Sequence, residues 1–75
     1  MHRRQVSCFL IADHDRKIFN VIESANGHGW LQDRIGEQQA KGRDVRGYPS
    51  TKPASEVRED YQKSFGYEYS KDTVL

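Results

Sequence analysis

Cys8 is the single cysteine in 75 residues, so no internal disulfide can form. Small secreted domains are usually stapled by several bridges, and a cytoplasmic setting is therefore expected. No apolar run approaches the roughly 18 residues that a membrane-spanning helix needs. The basic start at residues 1–4 is followed by a short apolar run and then by Asp13-His14-Asp15, where small residues would mark a cleavage site. We read that run as a strand, not a signal peptide. Charge of one sign is also missing, since 12 Lys and Arg against 11 Asp and Glu leave a net charge of +1. That balance excludes an acidic nucleic-acid mimic and a strongly basic nucleic-acid tail. Aliphatic and Phe side chains are scarce, with Leu, Ile, Val and Phe filling 15 positions. So low a share borders on disordered composition, but the high net charge that completes that signature is absent. One thin core in a single domain over 1–75 is expected; a two-domain enzyme, a full dinucleotide-binding fold or a closed barrel does not fit in 75 residues. There is no internal repeat and no low-complexity tract.

What is present reads as alternating strands and helices. Residues 6–12 are strand formers, apolar on both pleat faces, which suits an interior strand. Residues 13–16 are polar turn formers and 17–23 a second strand, so a β-hairpin is expected. A glycine-containing connector at 24–29 leads to a helix over 30–41, where Leu31 and Ile35 lie four apart. There Asp33 in the first turn and Lys41 in the last would complement the macrodipole, and Glu37 and Lys41 make an i,i+4 pair. Gly42 is a left-handed stop. Gly36 inside the helix costs about 1 kcal/mol against Ala, which predicts close backbone packing there. Residues 43–48 fit a charged edge strand and 49–53 a loop. A second helix spans 54–65, with Val57, Tyr61 and Phe65 repeating every four residues, Glu59 paired with Lys63, Pro53 near its start and Gly66 at its end. Residues 67–70 alternate and predict a last short strand or a docked tail.

The order is ββαβα, with a possible extra C-terminal strand, and the fold class is α+β, a small two-layer sandwich. The expected core is Val6, Cys8, Leu10, Ile18, Ile22, Leu31, Ile35, Val57, Tyr61 and Phe65. A second apolar set, Phe9, Ile11, Phe19 and Val21, is assigned to the far side of the hairpin. The chain has too little material to cover both sides, and uncovered apolar strand surface marks partner sites.

Several constellations invite chemistry. Carboxylates at a strand end, as in Asp13-His14-Asp15, can hold Mg²⁺ or offer a nucleophile. The same Asp spacing is similar to that of haloacid-dehalogenase-like phosphatases, whose large doubly wound domain does not fit here. The simpler reading, which we adopt, is a hairpin turn whose Asp side chains accept from local N–H groups. Gly27-His28-Gly29 before a helix has the form of an anion-binding loop, but no Gly-Lys-Ser/Thr follows, so it is not a Walker loop. Residues 24–29 resemble the cofactor loop of the Gcn5-related acetyltransferases, Gln/Arg-x-x-Gly-x-Gly, with Ser24 in place of the Gln or Arg. Residues 61–67 resemble that family's Tyr-x-x-x-Gly-Phe with one residue too many. The likeness covers about half the chain and would imply a minimal acyltransferase-like enzyme; no residue role is carried over from it. His2, His14 and His28 lack the i,i+4 spacing of a helical metal pair, so no metal and no cofactor is expected. Cys8, among apolar neighbours, reads as an inert buried thiol.

The binding residues expected from sequence are Lys41, Arg43, Arg46, Tyr48 and Lys52. With Asp44 they give 41–52 a local charge of +3 around one aromatic. Arg and Tyr are the residue types in which interface energy concentrates. The expected function is a small, non-enzymatic, cytoplasmic binding protein that inhibits or modulates a larger protein partner. By analogy with other tiny α+β proteins, it would be of the kind phages encode against host machinery. The alternatives are a small nucleic-acid-binding regulator using the 41–52 loop, or the acyltransferase-like enzyme. A homodimer through the sheet is a further possible partnership; a membrane is not expected.

Overall fold

The computed structural model describes residues 6–23 and 29–74. Its organising element is β1, Cys8–Asp13, buried along its whole length. An antiparallel hairpin joins it to β2, Ile18–Ile22, with Leu10 opposite Val21 and Ala12 opposite Phe19. Helix α1, Gly29–Ala40, leads to β3, Val45–Ser50, which pairs antiparallel with the other side of β1. Helix α2, Ala54–Phe65, is followed by β4, Glu68–Tyr69, parallel to β2, and by a 3-10 turn, Lys71–Val74. The result is an α+β fold built on a mixed sheet of order β3-β1-β2-β4. Both the class and the order ββαβα are those read from the sequence, and the short strand at 68–69 is the extra one.

The helices divide the sheet between them. Cys8, Leu10, Ala12 and Phe19 pack with Val57 and Tyr61 of α2 on one face. Phe9, Ile11 and Val45 pack with Leu31 and Ile35 of α1 on the other. A helix therefore covers each face, where the sequence reading gathered both helices into one layer over a single core. Phe9 and Phe19, assigned together to an uncovered surface, are both buried and lie on opposite faces. The reason is register. Directly opposed residues share a face, and a one-residue change in pairing moves every side chain of β2 across the sheet. Val21 and Phe19 thus join Leu10, while Ile22 joins Phe9. Of the expected core residues, Val6, before β1, and Phe65 are exposed, and Ile18 and Ile22 are only partly buried.

The helix ends follow the local signals. Gly42 is left-handed at φ 84°, and the N–H groups of Gly42 and Arg43 donate to Gln39 and Gln38 carbonyls. Gly66 closes α2 at φ 70°, its N–H donating to Gln62 O at 2.8 Å. Because α1 begins and ends one residue earlier than expected, Asp33 lies beyond its first turn and Lys41 beyond its last.

Gly36 is exposed, and a Cβ there would meet no atom within 4 Å. The close packing expected at this glycine is not found. Gly36→Ala should therefore stabilise the fold by about 0.5–1 kcal/mol through helix propensity and a less flexible unfolded chain. A raised urea midpoint at unchanged slope is the expected result; a lower midpoint would show a packing role.

Candidate functional site

The hairpin turn is built around Asp13. Its Oδ1 accepts from the N–H groups of Asp15 and Arg16, both at 3.0 Å, and its Oδ2 from Arg16 Nε at 2.8 Å. Burial is the largest single influence on this carboxyl and pushes its pKa up. The bonds and charge supplied by Arg16, with the Asp15 N–H, together outweigh it and hold the pKa below the usual range. Asp15 Oδ2 accepts from the Asp44 N–H at 2.9 Å, and His14 Nδ1 lies 2.9 Å from Tyr67 Oη. The Asp13 carboxylate is committed to local N–H groups, as the turn reading required, whereas that of Asp15 reaches across to the segment before β3. Among the described residues no group of three or more His, Cys, Asp or Glu is placed to hold a metal ion. Cys8 is fully buried, and burial, then Glu23, push its thiol pKa up, which keeps it protonated. The 24–28 part of the glycine loop, including Gly27 and His28, lies outside the described residues.

The five basic and aromatic residues singled out in 41–52 do not form one cluster. Lys41 and Arg43 sit in the connection after α1, at one end of β3. Lys52 sits past the other end, roughly 20 Å away at about 3.3 Å per strand residue. Arg46 and Tyr48, opposite Ala12 and Leu10, lie on the sheet face that carries α2. The local excess of positive charge is partly neutralised, because Arg46 Nε lies 3.1 Å from Asp44 Oδ1 and Lys52 Nζ 3.6 Å from Asp60 Oδ2. Both pairs are solvent-exposed and contribute little to stability.

What the fold does build is a groove beside α2. Helix α2 packs mainly against β1, β2 and β4 and leaves space along one flank. The space left, of about 220 Å³, is lined by Leu10, Lys52, Val57, Asp60, Tyr61, Ser64 and Phe65. The loop at its end is tied down. Ser50 Oγ accepts from the Lys52 N–H at 3.1 Å, Ser7 Oγ donates to Thr51 O at 3.1 Å and Cys8 Sγ to Lys52 O at 3.4 Å. Two aromatic side chains lie exposed on this side of the molecule: Tyr48, 42% exposed, and Phe65, 55% exposed. Phe65 stacks on Tyr61, with centroids 4.4 Å apart and planes 15° from parallel. Tyr61 itself is buried, and its hydroxyl is sealed from solvent with no hydrogen-bond partner.

The groove takes in Lys52 and adjoins Tyr48, both expected from the sequence. It adds Phe65, which the sequence reading placed in the core. The signal for Phe65 was available: a four-residue step advances about 40° on a helix of 3.6 residues per turn. By the third member of the series the side chain has therefore rotated off the buried line.

Compared with protein-family models, curated proteins and solved structures, the chain gives no significant match. Among the described residues no helix is long and apolar enough to cross a membrane.

Proposed function

We propose that this chain is a small non-enzymatic cytoplasmic binding protein that inhibits or modulates a larger protein partner, engaging it through β3 and the adjoining groove. The observation that carries the reading is the exposure of Tyr48 and Phe65 beside an apolar groove. Exposed aromatics next to a pocket, with arginine nearby, are the composition of interface hot spots. Tyr gives rigid contact area at small entropic cost, and Arg46 offers a planar donor fork to carboxylates. Arg43 and Lys41 extend the same border with cations that have no ion-pair partner among the described residues.

Arg43→Glu combined with Arg46→Glu is expected to abolish capture of the partner from host extract while shifting stability by only about 0.5 kcal/mol, since both side chains are exposed. Capture by the double variant equal to that by wild type would move the interface away from β3. A salt series on the captured complex separates the nucleic-acid alternative: phosphate contacts give a steep loss of affinity with salt and a protein interface a shallow one.

A further inference from the structure

Tyr61 carries a contradiction that the fold does not resolve. Buried polar groups in native proteins nearly always find a partner, and a donor left without one is costly. Tyr61 is about nine-tenths buried, it helps line the groove, and its hydroxyl is unpartnered. The neighbouring tyrosines do not relieve it, since Tyr67 Oη is engaged with His14 and Tyr48 is half out in solvent. Burial, then Tyr67 and Tyr48, push the Tyr61 pKa up to about 12, so at neutral pH the group is a protonated, neutral donor. A neutral donor in a low-dielectric setting calls for an acceptor such as a carbonyl.

The rest of the groove specifies what must accompany that acceptor. Leu10, Val57, Tyr61 and Phe65 supply apolar walls. Among the described residues the charges in the lining are Lys52 and Asp60, one of each sign and 3.6 Å apart, so the lining itself carries no net charge to favour an ion. We infer that the groove beside α2 receives one uncharged apolar side chain of a protein partner, with the adjacent backbone carbonyl accepting from Tyr61 Oη. The inference rests on the binding reading above and names the chemistry of the same site. Seating requires the packing over the hydroxyl to shift, since that atom is sealed from solvent in the unbound chain, and Phe65, 55% exposed and stacked on the Tyr61 ring, is a neighbour with room to give.

The test uses N-acetyl-phenylalaninamide, a neutral apolar group with carbonyls, titrated into the full chain and followed by NMR. Saturable shifts in the millimolar range are expected at Leu10, Val57, Ser64 and Phe65, as suits so small a ligand. N-acetyl-glycinamide, which lacks the side chain, and free phenylalanine, which is zwitterionic, should each bind more weakly. Tyr61→Phe keeps the ring and removes the hydroxyl. It should melt no lower than wild type yet bind the probe about three- to tenfold more weakly, as loss of one hydrogen bond implies. A merely structural hydroxyl would change stability and leave affinity alone. Ser64→Trp, which fills the groove from an exposed position, should remove the shifts at Leu10 and Val57. No saturable shift, or equal affinity in Tyr61→Phe, overturns the inference. Capture of the partner by Tyr61→Phe at wild-type strength would do the same while leaving the binding function standing.

Discussion

Tyr61→Ala is expected to cost on the order of 3 kcal/mol or more, the range for truncating an aromatic residue in a packed core. The side chain is held on several sides, with ring centroids of Phe19 at 5.1 Å, Phe65 at 4.4 Å and Tyr67 at 5.8 Å. Removing it leaves a hole under α2 that the neighbours, themselves part of one aromatic cluster, cannot close without losing their own contacts. A domain of this size has only a few kcal/mol to lose, so the thermal midpoint should fall by roughly 10 °C or more. The phenol adds a pH signature. Its pKa is near 10 when unfolded and about 12 when folded, so its contribution is complete below pH 10 and is lost as pH rises toward 12. Wild type should therefore weaken over that window more than Tyr61→Phe does. A midpoint for Tyr61→Ala within a degree or two of wild type would mean that the α2 face is not the core.

Gly47→Ala should also destabilise, by about 1–3 kcal/mol, the usual penalty for overpacking. Gly47 lies on β3 opposite Ile11, and the Phe9 ring sits against it. A Cβ there would lie 2.7 Å from Ile35 Cδ1 and 2.9 Å from Phe9 Cζ, with Phe9 Cε1 nearer still. Ile35 Cδ1 is the end of a flexible side chain and can move. The Phe9 ring is 5% exposed and wedged beneath α1, and it cannot move as easily. Replacing Gly by Ala ordinarily gains a few tenths to 1 kcal/mol by restricting the unfolded chain, and here the clash wins. The same replacement at Gly36 has the opposite sign, because nothing surrounds that position. Urea unfolding of the two variants checks the pair. Phe9→Leu in the Gly47→Ala background should recover part of the loss, as contacting sites are coupled. Equal or raised stability for Gly47→Ala would show that the ring gives way.

Local chemistry made most elements legible. Gly42 and Gly66 end their helices in left-handed geometry, Asp13 organises its turn, and α2 spans the residues its periodicity indicated. Facing was not legible. Residues 18–22 are apolar on both pleat faces, so the pattern fits either register, and the choice falls to the turn at 14–17, where Lys17 takes φ 58°. Nor does the pattern of α1 say which face of the sheet it must cover. The groove was half legible. Tyr48 and Lys52 carry a local charge and composition signal, whereas the unpartnered Tyr61 hydroxyl is a property of packing that no sequence window contains.

The central position of β1 has a kinetic consequence. Its pairing with β2 closes across a four-residue turn, but its pairing with β3 must wait for α1 and both flanking connections to be traversed. Loop-closure entropy therefore favours the hairpin as the early event and leaves the β3 border to dock late. A perturbation confined to that border, Gly47→Ala among them, would register chiefly as faster unfolding, with the refolding rate nearly preserved. The border that carries Arg46 and Tyr48 is then also the part of the sheet whose attachment is last gained and first given up.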